Sequence, residues 1–382
     1  MGDQHKQPFQ LSSPIGPQPG LRGRNAVVVA VTLWIASHFF VTMIARFATW
    51  EGSASYNRVA DLCRWDCPGY GTVLRSGYDK AAYGENGANN WPYHPLFPMT
   101  AYPLARWFKL PDTASLVIAS KLELLFAIYA FLLLLSDQIS CTTDCLKAGS
   151  LVAFNPYLIY AHAGYAEPLY FALISLAFYF AQRRRWLASG AMGGLASATR
   201  FVGFLFAVSY AIVWLRDWRA RESLFEDNLR RVIGLLLCPI GTVAFMLYLH
   251  RRMGDALVQL HSQVAWLKVP GNPLHTLWLC FVGLRWPRVW GIMILAALLL
   301  SAYLVKLRKP DLGVFLALSV LIPIAATFGS TPRYIWWQPP FLYAAYWIFR
   351  RHTGFWITYI FFSGGVAAFT IVEWWGIHPF VA

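Results

Sequence analysis

Asp66 stands in Cys63-Arg64-Trp65-Asp66-Cys67-Pro68-Gly69-Tyr70, a short way before Gly77-Tyr78. The stretch predicts a short helix begun by Asp66 or Cys67, with Pro68 in its first turn and Gly77 ending it. Two compatible roles are open to the carboxylate there: a helix cap accepting backbone N–H bonds, or a base that takes a proton from an attacking hydroxyl. Downstream, Trp91-Pro92-Tyr93-His94-Pro95-Leu96-Phe97-Pro98 has a backbone stiffened by proline, suited to form a rigid aromatic wall beside Asp66 or simply an interfacial segment. His94 is a secondary candidate, because a lone histidine is more often a hydrogen-bonded structural residue than a catalyst.

Three further charges fall where apolar runs begin or turn. Glu167, in Ala163-Gly164-Tyr165-Ala166-Glu167-Pro168, lies at or just inside the start of an apolar helix, where an ionisable group is costly unless paired or facing a polar cavity. The plainer reading is a first-turn Glu that suits the positive end of the helix dipole and snorkels to water. Arg200, in Ala198-Thr199-Arg200-Phe201, falls in the middle of the apolar run 186–215; a hairpin would put it at a turn, as partner for a phosphate or a carboxylate. Arg333, in Ser330-Thr331-Pro332-Arg333-Tyr334, begins another run, where a guanidinium suits bidentate binding of a lipid phosphate or serves as an ordinary interfacial anchor.

The elements that must position these groups are membrane helices. Of 382 residues, 57% are hydrophobic, 17% aromatic and only 13% charged, and mean hydropathy is +0.45. That is far more apolar than a soluble domain requires. Apolar runs fall at 26–48, 112–136, 147–162, 167–182, 186–215, 229–249, 275–304, 311–328, 334–350 and 354–375. With 186–215 counted as a hairpin, this predicts an all-α polytopic bundle of about 10–11 transmembrane helices. Residues 26–382 form its single membrane domain, 49–111 its long first extracytoplasmic loop, and 1–25 a disordered cytosolic tail.

The net charge of +14 does not point to nucleic acid, since the basic residues sit in short clusters between apolar runs. Starting inside, Arg183-Arg184-Arg185, the stretch from Arg216 to Arg231, Lys306 to Lys309 and Arg350-Arg351 all become cytosolic. Asp66, the turn at His162–Glu167 and the loop around Gly329–Gln338 then share the opposite face. No inverted repeat of interrupted helices is visible, which counts against a typical transporter. The two C-x3-C pairs, Cys63/Cys67 and Cys141/Cys145, lack the companions of a zinc site. Free thiols are the expectation for Cys63 and Cys67, although their extracytoplasmic loop would allow a disulfide. The loop holds no carboxylate cluster for Mg²⁺ or Mn²⁺, and no P-loop or dinucleotide glycine pattern occurs, so neither metal, other cofactor nor nucleotide donor is implied.

Taken together these segments resemble the GPI mannosyltransferase 2 (PIG-V) family, a branch of the GT-C glycosyltransferases that use polyprenyl-phosphate sugars. Trp65-Asp66-x3-Tyr70-x6-Gly77-Tyr78 is similar to that family's first luminal loop, and Pro95-Leu96-Phe97-Pro98 to the proline motif after it. Asn155-Pro156, Tyr165-x-Glu167 and Thr199-Arg200-x2-Gly203 resemble its middle segment, and Pro332-Arg333-Tyr334 its late one. The likeness covers roughly residues 30–350 in order. The chain is shorter than the eukaryotic enzymes and shows no evident ER-retention tail, so a bacterial homologue in the cytoplasmic (inner) membrane is expected.

The resemblance implies a GT-C-type bundle and an inverting mannosyl transfer from a polyprenyl-phosphate donor to a lipid-linked or glycan acceptor on the extracytoplasmic face. It implies Asp66 as general base and Arg333 or Arg200 on the donor phosphate, with Trp65, Tyr70, His94, Glu167 and Tyr334 binding or supporting substrate. Membrane lipids are the other expected partners. The rival reading is a lipid or solute transporter with Glu167 and Arg200 as an intramembrane charge site and Asp66 as a cap.

Overall fold

A computed structural model describes residues 23–49, 59–80, 89–220, 225–266, 268, 270–282, 285–326 and 330–375. The expected N-terminal tail lies outside them save for its last three residues. The described chain is helical throughout, with no strand. Helix α1 (Gly23–Ala48) is followed by α2 (Cys67–Ser76) and α3 (Leu96–Arg106) of the first loop, then by α4 (Asp112–Leu134), α5 (Thr142–Ala153) and α6 (Glu167–Gln182). Helices α7 (Trp186–Thr199) and α8 (Phe206–Ala220) flank Arg200, and α9 (Phe225–Leu237) leads into α10 (Ile240–Met253). The single turn α11 (Val258–His261) precedes α12 (Pro273–Val282), α13 (Arg285–Lys306) and α14 (Pro310–Ile324). The chain closes with α15 (Thr331–Trp336), α16 (Pro339–Phe349) and α17 (Thr353–Glu373).

Five described helices are long and apolar enough to cross a membrane: Asn25–Ala48, Asp112–Leu134, Phe201–Trp218, Pro287–Lys306 and Thr353–Glu373. The protein is therefore an all-α polytopic membrane protein. The run 229–249 is a sixth crossing if α9 and α10 are one span bent by 44°. The bend falls at Pro239, whose ring removes a backbone donor from the helix. The expected run 275–304 is likewise two helices, α12 and α13, with Pro287 in the first turn of α13. Segment 147–162 leaves α5 at Ala153 and passes Asn155-Pro156 into a single 3₁₀ turn, Leu158–Ala161. These interruptions follow proline and polar residues that hydropathy averages over.

The 186–215 run does fold back on itself. Arg184, at the entry to α7, pairs with Asp217, near the end of α8, at 2.6 Å. Arg231 of α9 joins the same carboxylate at 2.6 Å and also pairs with Asp227. Arg216 reaches Asp311 at 3.7 Å and the Arg308 carbonyl at 3.4 Å. The basic clusters assigned to the cytosol are thus gathered at one end of the bundle. The starts of α6 and α8 and the end of α7 lie at the other. Helix α7 approaches α9 closely because Gly190 meets Gly234, where a Cβ on either would strike backbone. One continuous apolar core runs from Ala26 in α1 to Trp374 just after α17.

Candidate active site

Helix α2 has the predicted limits: Asp66 precedes it, Pro68 lies in its first turn, and Gly77 ends it at φ 76° with its N–H on the Val73 carbonyl. The Asp66 carboxylate, however, makes no capping bond to this helix. It instead accepts a hydrogen bond from Arg333 Nη1 at 2.9 Å, across 267 positions of sequence. A third of the Asp66 side chain (33%) is exposed, whereas Arg333 is 7% exposed. The anchor reading of Arg333 fails on that burial: the guanidinium points inward, its carbon 4.9 Å from the Tyr160 ring centroid and 5.6 Å from that of Tyr165.

Glu167, the first residue of α6, is 2% exposed and does not snorkel to water. Its Oε1 accepts from Arg200 Nη1 at 2.8 Å and lies 3.3 Å from Arg333 Nε. Arg200 is held in extended backbone at the break after α7, which turns its side chain toward the start of α6. The four groups therefore form a chain, Asp66–Arg333–Glu167–Arg200, with two negative and two positive charges. Such burial is tolerated only because each charge has a partner; a lone guanidinium there would carry its full desolvation penalty.

Tyr334 closes the cationic side. Its hydroxyl accepts from Arg333 Nη2 at 3.3 Å, and the Arg200 guanidinium carbon lies 4.8 Å from its ring centroid. Burial pushes this phenol up, but Lys268, Arg333 and Arg200 outweigh it and bring its pKa down to about 7. The carboxylate side is lined by the first loop. Tyr70 of α2 lies with its ring 4.8 Å from Tyr93 and 4.9 Å from Phe97, and Tyr93 also senses the charges of Asp66 and Arg333. The Tyr93 ring fits because Gly69 has no side chain: a Cβ there would lie 2.7 Å from the Tyr93 hydroxyl. Proline motif and Asp66 loop thus pack as one wall, the first of the two readings their composition allows.

Two expected site residues stand apart from the charge chain. Trp65, 38% exposed, donates its indole N–H to the Trp374 carbonyl at 3.3 Å. His94 is buried behind the wall, its Nδ1 3.1 Å from the Ser197 carbonyl and its ring 5.0 Å from Phe245. Burial, with a smaller contribution from the Arg200 charge, lowers its pKa to about 4. Its folded pKa lies below the unfolded value of about 6.5, so between the two the unfolded chain binds more protons. Stability is accordingly full above about pH 6.5 and declines as pH falls toward about 4. The melting temperature of purified wild type should drop across that window and that of His94→Gln less steeply; parallel curves would remove His94 from the account.

Cys63 and Cys67 form a disulfide, correcting the expectation of free thiols. The short turn before α2 brings their Cα atoms to 5.2 Å, within bonding reach. Sequence reasoning also passed over Lys268 and Tyr160 as site residues, and quoted Tyr165 only as part of a motif. Tyr165 was signalled by its place two before Glu167; Lys268 carried no signal beyond being basic between two apolar runs.

No family model matches the sequence, and no curated protein is similar to it. Among solved structures the chain is similar to the oligosaccharyltransferase of Archaeoglobus fulgidus, determined as a complex with Zn and sulfate. The identity is 11% and the TM-score 0.44, over 89% of this chain and 53% of that one. The chain spans about half the length of that protein.

Proposed function

We propose that the protein is a membrane glycosyltransferase with a GT-C-type bundle. In this reading it moves a sugar, mannose by the resemblance of its motifs, from a polyprenyl-phosphate donor to a hydroxyl acceptor at the extracytoplasmic surface. The observation that carries this reading is the Asp66–Arg333 contact at 2.9 Å, extended through Glu167 to Arg200. It joins a partly exposed carboxylate to cations at the end of the bundle away from the basic clusters.

The acceptor O–H gives its proton to Asp66 as its oxygen attacks the anomeric carbon. The bond from that carbon to the phosphate oxygen breaks on the opposite side, with inversion, and the electron pair leaves on the lipid phosphate. Such a leaving group needs charge stabilisation more than a proton. In this reading Arg333, Arg200 and Tyr334, gathered beside Asp66, stabilise that negative charge, and Lys268 adds a cation that no ion pair among the described residues occupies. Arg333 has a second task, since its bond to Oδ2 orients the base. In the same reading Trp65 and Tyr70 line the sugar or acceptor side, with His94 bracing the wall behind.

The transporter alternative treats Asp66 as a helix cap, and the carboxylate makes no capping bond. The deciding experiment is sugar transfer from radiolabelled polyprenyl-phosphate mannose in membranes expressing the protein, against membranes without it. Labelled product that depends on the protein is expected. Donor bound or moved across the bilayer with no product would replace transfer by transport.

A further inference from the structure

The backbone around Asp66 is held more firmly than a short helix start requires. The Cys63–Cys67 disulfide closes a ring of chain with Arg64, Trp65 and Asp66 inside it. Tyr165, 1% exposed and from the turn before α6, reaches into the same ring: its hydroxyl accepts from the Asp66 N–H at 3.0 Å and donates to the Arg64 carbonyl at 3.0 Å. The neighbouring Gly164, at φ 80°, lies against Cys67, where a Cβ would come within 2.6 Å of the sulfur. Inside the ring Trp65 adopts φ 58°, a left-handed conformation unfavourable for a tryptophan that persists only where its surroundings over-determine it. Its indole N–H bond to the Trp374 carbonyl at 3.3 Å is one such constraint.

Resting on the transferase reading, we propose that the Cys63–Cys67 disulfide and the Tyr165 hydroxyl act together as a clamp that positions the Asp66 base. The bond fixes the main chain on either side of Asp66, and Tyr165 fixes its amide. With the backbone so held, the carboxylate is directed at Arg333 rather than back onto the α2 amides, which explains the missing cap bond. A ring this short removes little entropy from the unfolded chain, so its effect is local. Disulfides persist in oxidising compartments, which agrees with an extracytoplasmic site. Tyr165, Cys63 and Cys67 are positioning residues in this proposal, acting through the base.

The test uses intact wild-type protein in detergent, before and after reduction by a water-soluble phosphine, together with Cys63→Ser/Cys67→Ser and Tyr165→Phe. The phosphine is oxidised to its oxide with an oxygen from water, and the disulfide takes up two electrons and two protons to give two thiols. Mass spectrometry after alkylation reports whether Cys63 and Cys67 start out bonded; two alkylated residues in unreduced protein would overturn the proposal. Reduction, the double serine variant and Tyr165→Phe should each lower kcat by about 10-fold or more, because a base displaced by about 1 Å loses its alignment. Donor KM should stay within about 2-fold, since phosphate contacts are untouched. Unchanged kcat in fully reduced protein would overturn the clamp. Hydrogen exchange at the Asp66 amide reads the same device without substrate: it should quicken on reduction and in Tyr165→Phe. If no variant or wild type transfers sugar, the functional reading fails while exchange still decides the clamp, unchanged exchange refuting it.

Discussion

Asp66→Asn should lower sugar transfer by about 10²–10⁴-fold while leaving donor binding intact. The amide has the shape of the carboxylate, and its oxygen can still accept from Arg333 Nη1, now at 2.9 Å from Oδ2. It cannot take a proton from the acceptor. Loss should therefore fall on kcat, with donor KM near the wild-type value. Reduced expression would mimic such a loss, so transfer must be normalised to folded protein. Transfer by the variant equal to wild type would remove Asp66 as the base and return it to a structural part.

Glu167→Gln should be the most destabilising single change at the site. Among the described residues its carboxylate is the only negative group between Arg200 and Arg333, 2.8 and 3.3 Å away. Neutralising it leaves two buried guanidiniums to share Asp66, and removing one partner of such a pair costs about 3–5 kcal/mol. The loss shrinks when both members go together. Glu167→Gln combined with Arg200→Gln removes the uncompensated charge and should recover much of the lost stability, a coupling that a double-mutant cycle measures. Thermal unfolding of purified protein checks it: a large fall in melting temperature for the single variant and partial recovery in the double are expected. A Glu167→Gln protein that melts like wild type would mean that water, and not the ion pair, carries these charges.

Much of the site could be read from residue type and local spacing. Pro68 and Gly77 mark the ends of α2 because proline suits a first helical turn and glycine a left-handed end. Arg200 was legible as a turn residue because a charge in the middle of a long apolar run is costly unless the run folds back. Less legible were the interruptions. The proline that bends α9 against α10 by 44° is plain in the sequence, yet prolines also occur inside unbroken helices, as Pro103 does in α3. Whether the chain bends depends on what neighbouring helices offer to the freed carbonyls.

By itself the sequence determined the solvent, the helical class and the short list of chemically able residues. Those properties are set by apolar length, by charge between runs and by local backbone preference, all of which act over a few turns. Only the tertiary structure decided which of the able residues meet. Asp66 pairs with Arg333 rather than capping α2, Glu167 is buried between two cations rather than reaching for water, and His94 stands behind the wall. It also decided that Cys63 and Cys67 are bonded. Each outcome turns on a separation of a few ångströms between side chains, and in all but the disulfide the partners are far apart in sequence. A buried charge takes the partner that packing brings within reach, and local spacing carries no information about that distance.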